Sequence, residues 1–507
     1  MAEPHRVAIR FDASSVMGGG HAVRSLALAD RLGDRGAEVL LLTNAEAREM
    51  VPALGHRHRW RVVGAGGSAA LEALFSEWRG GADLAIVDHY GWSAADERLL
   101  RPAARRVAVI DDLANRAHDC DLLVDPNAGR AARDYAGLVG PAVPLLTGPR
   151  FALLRPAFGA LRAEALVRRT QAQQAAVSDV PRVLVSAGLS DPGGIALRAC
   201  EMLARIEERM CVDVVVSRSA PSHAGLELLA ARDRRFSIHA GVDADGMAAL
   251  MLKASLAIGG GGGTSWERCA LGLPSLVFVL AENQRKGADA LADTGAALVF
   301  EADDAGTMAM ARSVADLLSR PEALAAMSQA AFGLVDGRGT LRVASACEDL
   351  VEGISLRVAG AADGEQVWRW RNAPAARAAS RATDAIELGS HLDWYARAII
   401  DPRRLILIGQ ADGQAFGMVR FDETGEGAWD VSIALDPSRT GRGLGTRLLR
   451  RACAWLEADR PIRAFRAAAR ETNTSSLRAF SSCGFSLGDP SDGWVPMTAE
   501  RGLHGTA

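Results

Sequence analysis

Signals for cysteine pairing are missing from this sequence. Its seven cysteines (120, 200, 211, 269, 347, 453 and 483) are odd in number and never fall in CxxC spacing. That argues against a zinc site or a disulfide framework and fits a reducing cytoplasm. No run of about 18 apolar residues, the length of a membrane span, is present; the most apolar helical stretch, near 247 to 258, contains Lys253. The opening residues, Met1-Ala2-Glu3-Pro4-His5, carry no apolar core of a secretory signal. Neither sign of charge dominates, because the formal net charge is −3 and there is no acidic tail. A basic surface for nucleic acid is therefore not expected. These absences predict a cytoplasmic globular protein whose partners are small molecules, without nucleic acid, membrane or bound metal.

What is present fills more than one core. At 507 residues, 49% hydrophobic and 23% charged, the chain is long enough for about three domains. Residues 1 to about 155 alternate strand and helix patterns. Val7-Ala8-Ile9-Arg10-Phe11, Val39 to Thr43, Leu84 to Asp88, Val107 to Asp111 and Leu122 to Asp125 are short apolar runs, several ending in aspartate. Such runs suit parallel strands buried on both faces, and ligands gather at the carboxyl ends of such strands. After the first run come Asp12, the glycines Gly18-Gly19-Gly20, and His21 at the start of a helical pattern. The positive end of a helix dipole lowers the pKa of an imidazole there, and a neutral imidazole serves as a general base. Asp88-His89-Tyr90-Gly91 follows another strand end. Asp111 and Asp112 read as turn-formers capping the next element.

A Gln- and Ala-rich stretch, about 165 to 179, reads as a helix end and a linker. A second α/β series then begins, with strands at 183–186, 212–216, 256–258 and 275–279. Gly259 to Gly263, followed by Thr264-Ser265-Trp266-Glu267, lies between a strand and a helix, where backbone N–H groups can approach a diphosphate. The spacing is neither G-x-G-x-x-G nor a Walker loop. Glu267 is placed to accept from a ribose diol or, as Thr264-x-x-Glu267, to close a capping box; the two are not exclusive. Asn283 and Gln284, after the next strand, are either a helix N-cap or an amide pair for sugar hydroxyl or acetamido groups.

From about 355 the pattern changes. Trp368, Trp370, His391 and Trp394 fall on short helices, and 405–408, 415–419 and 429–433 read as adjacent strands. A glycine loop, Pro437-Ser438-Arg439-Thr440-Gly441-Arg442-Gly443-Leu444-Gly445-Thr446-Arg447, then opens an amphipathic helix. Its amides can hold a pyrophosphate, with Arg439, Arg442 and Arg447 adding charge.

This last segment resembles the GNAT acetyltransferases, whose acetyl-CoA loop has the form R/Q-x-x-G-x-G/A. Thr440, Gly443 and Gly445 occupy the pattern, so a Thr replaces the usual first residue and the neighbouring Arg439 is the substitute. Asn473-x-x-Ser476 and Gly484-Phe485 match the later N-x-x-S…GF signature. The resemblance implies acetyl-CoA as co-substrate, with Arg439, Gly441, Arg442, Gly443, Gly445, Thr446 and Asn473 around it. Many members carry a tyrosine where this chain has Phe480, so either water or another group protonates the thiolate here, or turnover is slow.

The first 350 residues resemble the UDP-sugar hydrolases of pseudaminic acid synthesis, through Arg10-x-Asp12-Ala13-Ser14, Gly20-His21, Asp88-His89-Tyr90-Gly91, Ile110-Asp111-Asp112, Gly259 to Glu267 and Glu282-Asn283-Gln284. That family is similar to the two-domain glycosyltransferases of peptidoglycan synthesis. The resemblance implies metal-independent release of UDP from UDP-2,4-diacetamido-2,4,6-trideoxy-β-L-altropyranose. It implies His21 as base, with Asp12, Gly20, Tyr90, Gly260, Gly261, Gly262, Thr264, Glu267, Asn283 and Gln284 around the UDP-linked amino sugar. The expected fold class is α/β: two doubly wound Rossmann-like, glycosyltransferase-B-like domains (1–165 and 180–353) and a GNAT domain (355–500). The pairing implies two consecutive steps fused, N-acetylation of a UDP-4-amino sugar and hydrolysis of the product. The rivals are a UDP-sugar glycosyltransferase fused to an acetyltransferase, and a sugar-nucleotide sensor controlling a protein N-acetyltransferase.

Overall fold

The computed structural model describes residues 4–14, 17–174, 180–188, 191, 193–411, 413–425, 427–441 and 443–500. The chain forms two compact units, residues 1–344 and 345–507, and the helix Gly339–Glu352 runs through the boundary between them. Among the described residues no helix is long and apolar enough to cross a membrane.

The first unit holds two parallel sheets. In spatial order the first consists of Arg59–Val62, Glu38–Thr43, Arg6–Phe11, Ala82–Asp88, Ala104–Ile110, Leu122–Asp125 and Leu145–Thr147. The second consists of Phe236–His239, Cys211–Val215, Arg182–Ser186, Leu256–Gly260, Ser275–Val279 and Ala297–Glu301. In each, the first strand lies between the second and the fourth, so connections leave it in opposite directions. This is the doubly wound order, and it opens a crevice at the carboxyl ends of the first and fourth strands. The continuous apolar runs form these strands because both faces are covered. In the second sheet Leu184, Ala257 and Val277 pack into one core, while Val183, Val185, Ile258 and Leu276 pack into the other.

The helix Arg162–Gln174 is pinned to the second half by arginines that cap helix ends. Arg162 donates to the carbonyls of Ala270, Phe332 and Val335, and Arg169 to those of Met251, Ala254 and Leu271. Of the Gln- and Ala-rich stretch at about 165–179, residues 165–174 belong to this helix and 175–179 lie outside the described residues.

The second unit is built on one sheet, in the order Ile354–Val358, Arg404–Ala411, Gln414–Gly425, Ala428–Leu435, Ala464–Arg470, Trp494–Glu500 and Ser486–Leu487. All its pairings are antiparallel except that between Ala428–Leu435 and Ala464–Arg470. That parallel pairing covers only residues 428–430 against 464–466, after which the strands part. The helices Leu444–Asp459 and Thr474–Ser481 lie over one face, on a core that includes Phe421, Trp429, Leu448 and Phe465. The helices Gly364–Asn372 and Leu388–Ala398 cover part of the other.

Candidate functional site

The first site lies at the crevice of the first sheet. Phe11 is in register with Asp88, so the loops leaving those two strands start side by side. Out of one comes the helix Gly20–Asp34, with Gly19 as its N-cap and His21 as its second residue. The His21 ring is buried, 5% exposed, and neither nitrogen has a hydrogen-bond partner among the described residues. Its Nε2 lies 3.9 Å from Asp88 Oδ1, and its edge meets the Tyr90 ring at 4.3 Å between centroids. Burial lowers its pKa, the Asp88 carboxylate opposes this, and Arg24 and His89 add to the lowering. The lowered imidazole pKa expected from the helix dipole is found, and its main cause is desolvation.

Arg24, one turn after His21, organises what lies beneath the ring. It donates from Nε (2.7 Å) and Nη2 (2.5 Å) to the two oxygens of the buried Asp88 and from Nη1 to Asp112 at 3.0 Å. Ser25 Oγ adds a bond to Asp88. Burial alone would raise the Asp88 pKa, but Arg24 and then His21 hold it below the usual carboxylate range. Tyr90 donates to Asp112 Oδ2 at 3.2 Å and accepts from Asn283 Nδ2 at 3.0 Å. Tyr90 and Asn283 thus meet, although 193 positions apart. Asp112 is not the plain turn-former expected from the sequence, because two side chains of this cluster bond to it. Asp111 does act as one, accepting from the amides of Leu113 and Ala114. Arg24 was given no role by the sequence, and Asp112 stood out only as a turn-former and within the Ile110-Asp111-Asp112 match; the available signal for Arg24 was a basic residue three positions after His21, on the same helix face.

Asp12 is occupied by protein groups. It accepts from Arg10, from the Asn44 amide at 2.9 Å and from His89 Nε2 at 3.0 Å. Burial would raise its pKa, but the bonds from His89 and Arg10 hold it at about 2. Gly20 opens the helix, and a Cβ there would meet nothing within 4 Å.

The second glycine loop sits at the matching crevice of the second sheet. Close packing explains its first positions. A Cβ on Gly259 would lie 2.4 Å from the Ser186 carbonyl oxygen, and one on Gly260 2.8 Å from Leu280 Cδ1. The Gly261 amide donates to Gln284 Oε1 at 3.1 Å, so Gln284 braces the loop. Space opens only at Gly262 and Gly263. Their amides and that of Thr264 make no hydrogen bond among the described residues. The expected capping box does not form: Gly263 is the N-cap of the helix Thr264–Ala270, with no side-chain bond. Glu267 is instead held through Oε1 by Arg155 (2.8 Å from Nη2), and burial raises its pKa against that cation. Asn283 is not an N-cap either, because Ala281 caps the helix Glu282–Asp293.

In the second unit, the loop after Ala428–Leu435 carries three glycines with two distinct jobs. Gly441 (φ +77°) and Gly443 (φ +73°) are left-handed, with nothing within 4 Å of a Cβ. A Cβ on Gly445 would lie 3.0 Å from Leu435 Cδ1, so that glycine brings helix and strand together. Gly443 is the N-cap of the 16-residue helix Leu444–Asp459. Arg439 donates to Gln414 at 2.7 Å, Thr440 to the Pro437 carbonyl, and the Thr446 carbonyl accepts from Cys483 Sγ. Arg442 lies outside the described residues. Arg447, assigned to the pyrophosphate from the sequence, bonds instead to the carboxylate and carbonyl of Glu352. Asn473 Oδ1 caps the helix Thr474–Ser481, accepting from the Ser476 amide and Ser475 Oγ. His391 is buried, bonded to the Gly364 carbonyl and stacked on Tyr395; Asp430 is exposed at the last paired position before the strands part. Phe480 is buried edge-on against Phe485.

The Acetyltransferase (GNAT) family model matches residues 365–485. The second unit is a GNAT acetyltransferase domain. The Glycosyltransferase family 28 C-terminal domain model matches residues 242–341, which include the Gly259–Gly263 loop and Asn283. The chain is similar to the UDP-2,4-diacetamido-2,4,6-trideoxy-beta-L-altropyranose hydrolase of Campylobacter jejuni, 31% identical over 157 residues, 30% of this chain and 53% of that protein. It is also similar to the spore coat polysaccharide biosynthesis protein SpsG of Bacillus subtilis, 29% identical over 213 residues, 40% of this chain and 58% of that one. The chain therefore spans little more than half the length of these relatives. Among solved structures, MurG of Acinetobacter baumannii aligns at 15% identity and TM-score 0.48, over 68% of this chain and all of that one. Aminoglycoside acetyltransferase AAC(6')-Ib aligns at 19% identity and TM-score 0.27, over 30% of this chain and 96% of that one. Together the two family models mark a segment like the glycosyltransferase family 28 C-terminal domain followed by a GNAT acetyltransferase-like domain.

Proposed function

We propose that residues 1–344 hydrolyse a UDP-linked 2,4-diacetamido-2,4,6-trideoxy sugar and that the acetyltransferase domain N-acetylates the UDP-4-amino sugar that precedes it. The observation that carries the hydrolase reading is His21, buried, its pKa lowered by that burial, with neither ring nitrogen partnered among the described residues and 3.9 Å from a carboxylate. His21 takes a proton from water as the water oxygen bonds to the anomeric carbon. The bond from that carbon to the diphosphate breaks, and its electron pair leaves with UDP. Asp88 stabilises the imidazolium formed. The amides of Gly262, Gly263 and Thr264 face the departing diphosphate, as preorganised donors do. Oε2 of Glu267, left open by Arg155, accepts from the ribose, and Asn283 with Tyr90 orients the sugar.

For the acetyltransferase, the parting strands and the open left-handed glycines fit a pantetheine arm and its pyrophosphate. Acetyl-CoA, when bound, supplies an activated acetyl thioester; the Gly441–Thr446 segment and Arg439 would hold it. Asp430, exposed beside the gap between the strands, would receive the proton of the attacking amine through water.

Two outcomes are expected beyond the product pattern. The acid limb of kcat/KM for UDP release lies below pH 6.5, the ordinary imidazole value, because His21 is depressed and must lose its proton to act. Asn283→Ala, at an exposed position, raises KM for the UDP-sugar about tenfold with kcat within a few-fold, as loss of one sugar hydrogen bond would. The whole reading is tested by mass spectrometry of products from the UDP-4-amino sugar, with and without acetyl-CoA. UDP and the diacetamido sugar should appear only with acetyl-CoA and without added acceptor. A requirement for a sugar or lipid acceptor would favour the glycosyltransferase instead, and acetylated protein with no UDP release would favour the sensor.

A further inference from the structure

One face of the acetyltransferase sheet is strongly basic. Cross-strand register places Arg404 opposite Asp422, Asp422 opposite Asp430, and Asp430 opposite Arg466. By alternation, Arg420 and Arg470 share that face. Residues of the opposite parity, such as Leu405, Phe421, Trp429, Val431 and Phe465, fill the core beneath the long helix, which confirms the facing. Asp430 and Arg466 are exposed, and Arg404, Arg420 and Asp422 are half-buried, so the face is reachable.

Three guanidiniums crowd the Trp394 indole, Arg371 from the neighbouring helix at 5.0 Å and Arg404 and Arg420 from the sheet at 5.6 Å each from the ring centroid. Arg404 and Arg420 share a single carboxylate, Asp422. Apart from the indole, Arg371 has no hydrogen-bond or ion-pair partner among the described residues. It is also partly desolvated; burial, Arg420 and Arg404 lower its pKa, and only the Asp422 carboxylate, which Arg404 and Arg420 already share, opposes them. An unpaired, partly buried guanidinium weakens a fold, so stability does not account for it. Arg420 lies opposite Ser432, two residues past Asp430, where the strands have already parted. The excess positive charge is therefore one strand away, about 5 Å, from the place where acetyl transfer would occur.

The geometry points to this face as the acceptor's anion site: Arg371 and Arg420, backed by the Trp394 indole, grip the diphosphate of a nucleotide-linked amine whose amino group reaches the gap between the strands. Arginine forks suit phosphate oxygens, and cationic polyamines are repelled. The inference rests on the acetyltransferase reading above and names the acceptor by its charge, whichever nucleotide it carries.

The test follows coenzyme A release by the full chain with four amines: the UDP-4-amino sugar, a dTDP-linked 4-amino sugar, the 4-amino sugar freed of its nucleotide, and spermidine. At least one diphosphate-linked amine should be used with a KM about tenfold or more below that of the free sugar. Arg371→Met should raise that KM about tenfold, leave the KM for acetyl-CoA within about twofold, and leave the melting temperature unchanged or higher. Arg371→Lys should fall between. Arg371-dependent transfer to the dTDP-linked amine alone would keep the anion site and retire the UDP-sugar reading. Use of the UDP-sugar with a KM indifferent to Arg371 would keep that reading and overturn the site. Preference for the free sugar or spermidine, or no transfer to any diphosphate-linked amine, also overturns it.

Discussion

His21→Asn should lower the rate of UDP release by about 10³-fold, within the range of general-base catalysis, while acetyl transfer by the same chain is unchanged. Asparagine fills most of the ring's space and keeps a polar edge. It cannot take up the proton of water. The network beneath His21 does not depend on the ring, since Arg24 and Ser25 satisfy Asp88 directly, so the variant should fold. Assay of UDP with the wild type and the variant side by side checks this. Equal rates would remove His21 from the chemistry and leave the cluster as a structural knot.

Arg24→Met should have the largest effect on stability. Asp88 is fully buried, and both its oxygens rely on Arg24. Removing the guanidinium leaves an uncompensated buried charge, a loss of about 3–5 kcal/mol. Denaturant unfolding of the full chain would show an earlier first transition. Adding Asp88→Asn should recover much of it, because the stranded charge is then gone. The Asp88 pKa is depressed in the fold, so the pair's contribution is present above the usual carboxylate value of 3.8 and is lost as pH falls through the folded one. At neutral pH the whole effect is therefore visible. No shift in the transition would mean that water reaches Asp88.

The parallel strands were legible because burial on both faces demands continuous apolar runs, as at Leu84–Asp88 and Ser275–Val279. Strands under other constraints were not. Arg59–Val62 is an edge strand whose charged side chains are solvent-exposed, and Ala464–Arg470, with four alanines in seven residues, has no β-branched residue to mark it. At the site, glycine runs and polar strand ends stood out by composition, yet their partners did not. Arg24 looks like any helical arginine until the sheet brings Asp88 and Asp112 to it, and Arg155 reaches Glu267 across 112 positions. Thr264-x-x-Glu267 had the spacing of a capping box, but the helix begins one residue earlier in effect, with Gly263 as its cap. Arg447 had the proximity to serve the pyrophosphate, but Glu352, 95 residues away in sequence, claims it. Local spacing marks where chemistry is available; tertiary pairing decides which groups remain free for it.

If His21 directs water to the anomeric carbon, the bond from that carbon to the diphosphate oxygen is the one that breaks. The most direct measurement is turnover of the UDP-2,4-diacetamido sugar by the full chain in H₂¹⁸O, without any acceptor, with mass analysis of the UDP. UDP should be released without ¹⁸O, because the bond broken lies between carbon and the diphosphate oxygen. UDP carrying ¹⁸O, which means attack at phosphorus, or no UDP at all without an acceptor, would contradict it.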